Sequence, residues 1–507
     1  MSTHAPPHDL LIVGAGINGA GIARDAVGRG LDVLIVEQGD IASATSSWST
    51  KLVHGGLRYL EHFEFRLVRE SLNEREVLLR TAPHLVAPLA FVLPHEPHLR
   101  PAWMIRAGLF LYDHLGHRER LPGSFGVDLA GTRWGAGLKS TFKHGFVYSD
   151  ARVDDARLVT ANVLAAHAMG ATVRVRTRFT GAKRVGNLWK AQLVDAGGNV
   201  VEAKARAIVN ASGPWVKRVR DATSPTPSRE NVRHVKGSHI VVPRVHNEEH
   251  AYILQNADKR IVFVIPYHDR FSLIGTTDIP VDDYEHPGIS EEETDYLLDL
   301  ANAYLARPLE RADIVWTYSG VRPLYDDGAS DPSAITRDYV LKLDVDDAKH
   351  AAPALSIFGG KLTTYRKLAE HALSELKPFF PQMKGDWTAD AALPGGDMPR
   401  GDFTAFLTEV SRRYAHLPGE VVRGMLRRHG SRALDILADV KRTADLGRQF
   451  GDDLTAVEID YFIREEWAMS ADDVLWRRTK AGLGMTPAQR NAVATYVERT
   501  VAQGTLA

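Results

Sequence analysis

A β-α-β unit at the N-terminus constrains the fold of this chain more than its other sequence features do. The apolar run Asp9–Val13 predicts a strand, residues 20–29 predict a helix, and the apolar run Val33–Val36 predicts a second strand. A glycine turn joins the first strand to the helix. These elements lie within about thirty residues, the length of a parallel β-α-β unit, and they predict an α/β fold.

The glycine turn has the spacing of a dinucleotide-binding site. Gly14, Gly16 and Gly19 stand at G-x-G-x-x-G positions, where glycine permits a tight turn, close approach of a pyrophosphate and packing of helix on strand. The helix N-terminus offers unpaired N–H groups to the phosphates. Glu37 ends the second strand, where a carboxylate accepts hydrogen bonds from an adenosine ribose. The motif alone does not distinguish NAD from FAD.

Other glycine-containing strand ends favour FAD over NAD. Residues 208–213 and 273–278 each end an apolar run with a glycine, and Gly359-Gly360 ends a third. Each could be an ordinary turn at the end of a strand. One long cofactor lying across several strand ends explains all of them together, so we expect FAD.

The distribution of strand and helix patterns predicts three parts. We expect a Rossmann-like FAD-binding domain made of residues 1–80, 145–231 and 325–392. An α+β substrate domain, residues 81–144 and 232–324, is predicted to be inserted into it. Helical spacing predicts helices over residues 61–79 and 362–376. From residue 398 to 507 strand patterns are absent, which predicts a C-terminal all-α domain.

Charge and cysteine content exclude several classes of protein. The chain has 62 Lys+Arg against 63 Asp+Glu, which argues against a basic nucleic-acid binder. It has no cysteine, so disulfides, thiolate catalysis and cysteine-ligated metals are excluded, and we expect no metal. No apolar run reaches the roughly 18 residues of a spanning helix, and the first eight residues lack the apolar core of a signal peptide. We expect a soluble chain or one on a membrane surface.

Longer motifs resemble one known family. They are residues 45–47, 51–60, 319–324, 335–339 and 358–366. Together they resemble the aerobic, FAD-dependent glycerol-3-phosphate dehydrogenases, and the likeness extends from about Asp9 to the run Trp476–Lys480. The resemblance implies oxidation of sn-glycerol 3-phosphate to dihydroxyacetone phosphate, with electrons passed to membrane quinone. It also implies a homodimer peripheral to the inner face of the cytoplasmic membrane.

Arginines within these motifs are the candidates for binding the substrate phosphate. Arg58, Arg322 and Arg337 lie in the family motifs, and a guanidinium binds a phosphate through two parallel hydrogen bonds. We expect Arg58 and Arg337 at the phosphate, together with Tyr59. Arg322 is expected nearer the reacting carbon.

Three further residues are candidates for the chemistry. His239 opens a predicted strand, and a histidine accepts a hydroxyl proton near neutral pH because its ordinary pKa is about 6.5. His54 is its competitor as base, although its place beside Gly55-Gly56 favours a contact with the flavin. Lys361 is expected to stabilise negative charge on the reduced flavin.

The residues predicted to contact FAD come from the turn and from the family motifs. They are Gly14, Ala15, Gly16, Asn18, Gly19, Glu37, Thr45, Ser46, Ser47, Lys51, Leu52, His54, Gly55, Gly56, Ala211, Ser212, Gly213, Gly275, Thr276, Asp278, Gly359, Gly360, Lys361, Leu362 and Thr363.

Two questions stay open at the level of sequence. The segment Pro101–Leu115 is apolar with flanking cations, and an interfacial membrane helix and a buried helix explain it equally well. The electron acceptor is the second question, because a glycerol-3-phosphate oxidase that reduces O₂ would use the same substrate and FAD motifs. The absence of an obvious long insertion favours the quinone-linked enzyme.

Overall fold

Two β-sheets form the frame of the molecule. The structure, a computed structural model, describes residues 6–96, 100–223, 231–256, 260–326, 338–345 and 352–504. The strands are β1 (His8–Val13), β2 (Val33–Val36), β3 (Leu52–Val53), β4 (Val86–Pro94), β5 (Phe125–Asp128), β6 (His144–Val153), β7 (Thr172–Arg174), β8 (Arg178–Val185), β9 (Leu188–Val194), β10 (Val200–Asn210), β11 (Val232–Pro243), β12 (Ala251–Gln255), β13 (Ile261–Tyr267), β14 (Phe271–Gly275), β15 (Ile279–Pro280), β16 (Trp316–Tyr325), β17 (Val340–Asp344), β18 (Ala354–Phe358), β19 (Gln449–Gly451) and β20 (Leu454–Thr455).

Helices cover the sheets and make up most of the C-terminal part. They are α1 (Ile17–Gly28), α2 (Phe65–Thr81), α3 (Ala102–Leu115), α4 (Asp155–Ala168), α5 (Val216–Asp221), α6 (Glu291–Tyr304), α7 (Tyr365–Leu376), α8 (Phe403–Arg413), α9 (Gly419–His429), α10 (Ala433–Ile436), α11 (Ala456–Glu465) and α12 (Pro487–Gly504).

The first sheet is the predicted dinucleotide-binding sheet. Its strands run in the order β17-β18-β10-β1-β2-β7, and β18, β10, β1, β2 and β7 are parallel. Strand β1 pairs with β10 on one side and with β2 on the other. Leu10 and Ile12 face α1, α4 and α7, while Leu11 and Val13 face the opposite layer. Burial of both faces explains why the strand is an unbroken apolar run. The α/β class and the N-terminal β-α-β unit are confirmed.

The second sheet forms the substrate side and is largely antiparallel. Its order is β15-β11-β14-β13-β12-β4-β6-β3, with β16 paired to β11 and β5 to β6. The predicted division differs from this pairing in two segments. Residues 1–80 and 145–231 are predicted in the FAD-binding part, whereas β3 pairs with β6 in the second sheet, and β4 pairs with β6 there along its whole length. The remaining domain boundaries stay predictions.

The C-terminal part has its own apolar core, built from α8 to α12 and the segments between them. Among the described residues it also contains a short antiparallel pair, β19 with β20, which the sequence pattern did not predict. These strands are three and two residues long, too short to give a strand period.

Two predicted helices begin later than expected. Residues 61–79 were predicted as a helix, but α2 begins at Phe65 because Leu57–His62 forms a 3₁₀ turn and Phe63 takes a left-handed backbone with φ 58°. The helix predicted from residue 362 begins at Tyr365. Gly359 and Gly360 both have positive φ, and a turn separates them from α7.

Candidate active site

The first part of the site is a cavity of about 270 Å³ at the carboxyl ends of the parallel strands β1, β2, β10 and β18. This edge is where ligands bind in open α/β sheets. We call it the dinucleotide cavity. The predicted residues that line it are Gly14, Gly16, Asn18, Glu37, Thr45, Ser46, Ala211, Ser212, Gly213, Gly359 and Gly360.

Glycine is required at the turn by close backbone contacts. Gly14 has φ +106°, and a Cβ there would lie 2.6 Å from the Ala211 carbonyl oxygen. A Cβ on Gly19 would lie 1.9 Å from the Gly14 carbonyl oxygen. Because real Cβ atoms do not approach backbone this closely, neither position accommodates a side chain unless the backbone of the glycine turn moves. We call this turn, residues 14–19, the glycine cradle.

The start of α1 and the carboxylate of Glu37 are arranged to receive polar groups. Gly16 is the N-cap of α1 and has no side chain to cap the helix, while the Ser46 hydroxyl accepts the Ile17 N–H at 3.0 Å. The Glu37 carboxylate accepts the N–H groups of Ala15 and Gly39, each at 2.8 Å. Burial raises the pKa of Glu37, and these two donors act against that rise.

A second cavity of about 370 Å³ lies between the two sheets, and we call it the substrate cavity. It shares Thr45, Ser46, Pro323 and the Gly359-Gly360 turn with the dinucleotide cavity. The two cavities are therefore continuous at the carboxyl ends of the parallel strands. The predicted residues that line the substrate cavity are Thr45, Ser46, Leu52, His54, Gly56, Arg58, Tyr59, His239, Thr276, Asp278, Arg322, Gly359, Gly360, Lys361, Leu362 and Thr363.

His239 lies on β11 with only 1% of its surface exposed. Its Nε2 is 3.1 Å from Thr50 Oγ1, and its ring stacks on Tyr318 with centroids 4.7 Å apart. Burial holds the pKa of His239 well below the usual 6.5, and the charges of Lys51 and Arg322 lower it further. At neutral pH the imidazole is therefore uncharged and its lone pair can accept a proton.

Arg322, on β16, is held beside His239 by a carboxylate. Its guanidinium is paired with Asp278 and lies 3.4 Å from Thr276 Oγ1. A Cβ on Gly237 would come within 2.7 Å of the same guanidinium, so glycine makes room for it. Arg322 thus lines the cavity with its guanidinium held by Asp278, although the side chain is 35% exposed.

Cations from two other segments face the same space. Arg58 lies in the 3₁₀ turn after Gly56 and, among the described residues, has no hydrogen-bond or ion-pair partner. The Tyr59 ring packs on Gly56, where a Cβ would lie 2.2 Å from Tyr59 Cδ2. The Lys361 ammonium stands 3.9 Å from the centroid of that ring.

An apolar groove adjoins the substrate cavity. It encloses about 600 Å³ and shares Leu57, Arg58, Glu61, Leu93, Gln255 and Ile261 with that cavity. Its outer wall is α3, whose side chains are mostly exposed, including Trp103 (70%) and Phe110 (58%). The alternative that residues 101–115 form a buried helix is therefore wrong. None of the described helices is both long enough and apolar enough to cross a bilayer.

The chain is similar to known proteins along nearly its whole length. The family described as FAD dependent oxidoreductase matches residues 9–341, and the C-terminal domain of alpha-glycerophosphate oxidase matches residues 387–503. An aerobic glycerol-3-phosphate dehydrogenase of Escherichia coli is 52% identical over 96% of this chain and 97% of its own length. This chain belongs to the FAD-dependent glycerol-3-phosphate dehydrogenase family.

Other members of the family extend the comparison. A D-erythritol 1-phosphate dehydrogenase of Brucella abortus is 48% identical over 97% of each chain. A solved glycerol-3-phosphate dehydrogenase of Bacillus halodurans, complexed with FAD, has a TM-score of 0.76 and 27% identity and covers 99% of this chain and 91% of its own. The cofactor of this flavoprotein is FAD, as the glycine motif and strand ends predicted.

The site fits FAD on its own geometry. The glycine turn leaves room for a pyrophosphate, the start of α1 opens on the cavity, and Glu37 lies at the ribose position of a family dinucleotide site. The continuous substrate cavity, which His239 and Lys361 line, would hold the remainder of the cofactor.

Several predicted FAD contacts line neither cavity. They are Ala15, Gly19, Ser47, Lys51, Gly55 and Gly275. The Lys51 ammonium is directed away because it pairs with Asp155 at 2.7 Å and donates to the Ser47 carbonyl. Asp278 lines the substrate cavity, but its carboxylate is engaged by Arg322. Arg337, a predicted phosphate ligand, lies outside the described residues.

Sequence reasoning missed several cavity residues. Thr50, which contacts His239, lies between two of the family motifs and was not predicted. Its neighbour Lys51 was predicted as an FAD contact instead. Asp150 and Tyr148 line the cavity from β6, and Arg260 lines it from the segment before β13. Only the pairing of β6 with β4, which joins segments about 60 residues apart, brings the first two there.

Proposed function

We propose that this flavoprotein oxidises the secondary alcohol of sn-glycerol 3-phosphate to the ketone of dihydroxyacetone phosphate. The observation that carries the proposal is the substrate cavity, where an uncharged buried histidine and an arginine without an ion-pair partner among the described residues face one space. That space continues into the dinucleotide cavity. A hydride-transfer site for a phosphorylated alcohol needs both groups. The names of relatives about half identical to this chain support the same substrate class.

The phosphate is bound by cations at the outer end of the substrate cavity. Arg58 has no partner among the described residues, so a phosphate can take up its guanidinium without displacing an ion pair. Tyr59, beside it, supplies a hydroxyl. Arg337 is retained as a second phosphate ligand on the strength of the family motif alone.

His239 removes the hydroxyl proton. Its uncharged imidazole accepts the proton, while Thr50 and the stacked Tyr318 ring hold its orientation. Arg322 stabilises negative charge that develops on the same oxygen, since Asp278 and Thr276 fix the guanidinium in the cavity. Bound FAD supplies the acceptor for the hydride from the same carbon. Lys361, which lines the same cavity, would supply positive charge to stabilise the negative charge that FAD gains with the hydride.

The electrons pass to a membrane quinone. Support comes from the apolar groove, which adjoins the substrate cavity through Leu57, Arg58 and Glu61 and is open to an apolar molecule. Beside it Phe63 is 78% exposed, and the neighbouring face of α3 presents further apolar side chains with Arg100 and Arg106 at its edges. Such a face suits the boundary of a bilayer, where apolar groups enter and cations meet anionic headgroups. We place the protein peripherally on the inner face of the cytoplasmic membrane, as a homodimer.

One anaerobic experiment tests the proposal. The oxidised holoenzyme is mixed with sn-glycerol 3-phosphate, and bleaching of the yellow flavin is followed. We expect bleaching with this substrate and none at equal concentration with glycerol, because glycerol lacks the phosphate. Bleaching by D-erythritol 1-phosphate alone would assign the site to the longer polyol instead.

The electron acceptor is tested by re-oxidising the bleached enzyme. We expect a short-chain ubiquinone analogue to restore the yellow colour much faster than air-saturated buffer does. Faster recovery with O₂ and equivalent H₂O₂ production would identify an oxidase.

The membrane contact is tested by sedimentation with anionic vesicles. We expect the parent to sediment with the vesicles and Trp103→Ser to do so less, because an exposed apolar side chain of α3 is lost.

A further inference from the structure

Arg477 and Arg478, in the run Trp476–Lys480 that marks the end of the family resemblance, reach from the C-terminal part to the loop that follows β2. Arg478 is fully buried and Arg477 is 9% exposed. Both reach across to Asp40, more than 430 residues away in the chain and itself fully buried. None of these three residues has a part in the proposed chemistry.

Asp40 is held through both of its oxygens. Arg477 Nε donates to Oδ2 at 2.6 Å, and the two terminal nitrogens of Arg478 donate to Oδ2 and Oδ1, each at 2.8 Å. Arg478 is held in turn by the Glu466 carbonyl at 2.5 Å. Arg477 and Arg478 of the C-terminal part thus hold the Asp40 carboxylate in a fixed position. We call this arrangement the Asp40 socket.

Asp40 belongs to a segment that lines the dinucleotide cavity. We call residues 37–44 the adenosine loop, because Glu37, Gln38 and residues 42–44 face the end of the cavity near β2. The opposite side of this loop is held by the same cluster. The Arg176 N–H donates to the Gly39 carbonyl at 2.9 Å, and the Arg176 guanidinium bonds both oxygens of Asp473 at 2.8 Å.

Buried ion pairs of this kind contribute little net stability, because desolvation of the charges offsets their attraction, whereas their geometry is exacting. The ion cluster bonds the adenosine loop at Asp40 and at the Gly39 carbonyl, and it therefore fixes the position of the loop. A loop that is fixed before the ligand arrives loses less conformational entropy on binding, and the ligand is retained longer.

We propose that Arg477 and Arg478 are positioning residues for FAD, which act through Asp40 to hold the adenosine loop in its binding shape. The C-terminal part thereby sets how tightly the cofactor is retained, although it lines neither cavity with these residues. Since coupling between two sites is reciprocal, bound FAD must also protect the segment 473–478 from opening.

The test is the rate of FAD release from diluted holoenzyme, followed by the rise in flavin fluorescence. We expect Asp40→Asn and Arg478→Gln to release FAD about 10- to 100-fold faster than the parent, the range typical of coupling between sites. With FAD in excess, the KM for glycerol 3-phosphate should be unchanged, because the substrate cavity is not altered. Release at the parental rate from both variants would overturn the proposal.

Arg428→Gln is the matched control. Arg428 forms equally close bonds with Asp453 and Glu458 in the C-terminal part but does not contact the adenosine loop. It should lower the melting temperature without speeding FAD release. If it speeds release as much as Asp40→Asn does, the effect is general destabilisation and the proposal is wrong.

A measurement on the parental protein decides the matter if the variants do not fold. Amide hydrogen exchange is compared between holoenzyme and the same protein after FAD removal. We expect residues 473–478 to exchange at least several-fold faster without FAD, while α8, which packs in the C-terminal core through Phe406 and Val410, changes little. Equal exchange at 473–478 in the two states would overturn the proposal.

Discussion

The two ends of the cofactor site are built in different ways. The dinucleotide cavity is formed mainly by backbone, with glycines that leave room and one carboxylate, Glu37, held by two N–H groups. The substrate cavity is formed by side chains from segments that are far apart in the chain, such as Arg58, His239 and Arg322. FAD binding should therefore be weakened most by adding a side chain at the dinucleotide cavity. Turnover and substrate binding should be weakened most by removing a functional group from the substrate cavity.

Removing the base should give the largest effect. His239→Asn is expected to slow flavin reduction by about 10²–10⁴-fold, the usual contribution of a general base, with a smaller change in substrate affinity. Stopped-flow reduction with substrate deuterated at C2 measures it, since the isotope effect shows that hydride transfer is observed. His250→Asn, at a histidine that is 3% exposed and outside the cavity, is the control. Reduction at nearly the parental rate would remove His239 from the mechanism.

Removing a phosphate ligand should come next. Arg58→Ala is expected to raise the KM for glycerol 3-phosphate by about thirtyfold, equal to about 2 kcal/mol for loss of a charged contact. Arg58→Lys keeps the charge but not the two-pronged geometry, so it should recover only part of the loss. An unchanged KM in both variants would mean that Arg58 is a surface residue, and the same assay on Arg337→Ala would then test the other phosphate candidate.

At the dinucleotide end, Glu37→Ala tests the one functional group. Loss of a charged hydrogen-bond acceptor corresponds to about 1.5–3 kcal/mol, so FAD affinity should fall about ten- to a hundredfold. Fluorescence titration of the flavin-free protein with FAD measures this change. Acid precipitation of the parent should also release all of the yellow colour, because no cysteine is available for a thioether link. His54 is the residue through which a histidyl link would form, and such a link would keep the flavin with the protein. Colour in the pellet would contradict noncovalent binding.

Adding one methyl group at the same end sharpens the comparison. Gly19→Ala should weaken FAD binding by about 1–3 kcal/mol, since its Cβ would meet the Gly14 carbonyl and shift the cradle. Gly288→Ala is the control, because a Cβ there has nothing within 4 Å. If the two variants bind FAD equally well, the cradle is more adaptable than its contacts indicate.

The smallest effect expected is the pH dependence of flavin reduction. Burial first, then Lys51 and Arg322, lower the pKa of His239 below 6.5, so the uncharged base persists as the pH falls through 6.5. The rate should hold at pH 6.5 and decline only at lower pH, as the imidazole becomes protonated. His239→Asn should lose this acidic limb. A limb centred above pH 6.5 would show that another group controls the reaction.

The sequence predicted the dinucleotide end well because its determinants are local. Gly14, Gly16 and Gly19 lie within six residues of one another, and Glu37 follows at the end of the next strand. The substrate end was predicted through family motifs, which name residues but not their partners. That Arg322 pairs with Asp278, or Lys51 with Asp155, depends on strands that meet only after folding.

The outward-facing helix α3 and the Asp40 socket could not be derived from the sequence for the same reason. The apolar spacing of residues 101–115 is the same whether the helix faces a core or a bilayer, and only the packed neighbours decide. The run Trp476–Lys480 reads as an ordinary basic segment, because its acidic partner lies in the first tenth of the chain.

The order of strands in the first sheet has a consequence for biosynthesis. Strand β1 is synthesised long before two strands of its sheet, since its neighbour β10 ends at Asn210 and the next parallel strand, β18, ends at Phe358. At about 5–20 residues per second, translation needs tens of seconds to supply that strand. During this interval the apolar N-terminal strand has no complete sheet to join. We therefore expect the parallel sheet, and the cofactor cavity at its strand ends, to be complete only after β18 has been synthesised.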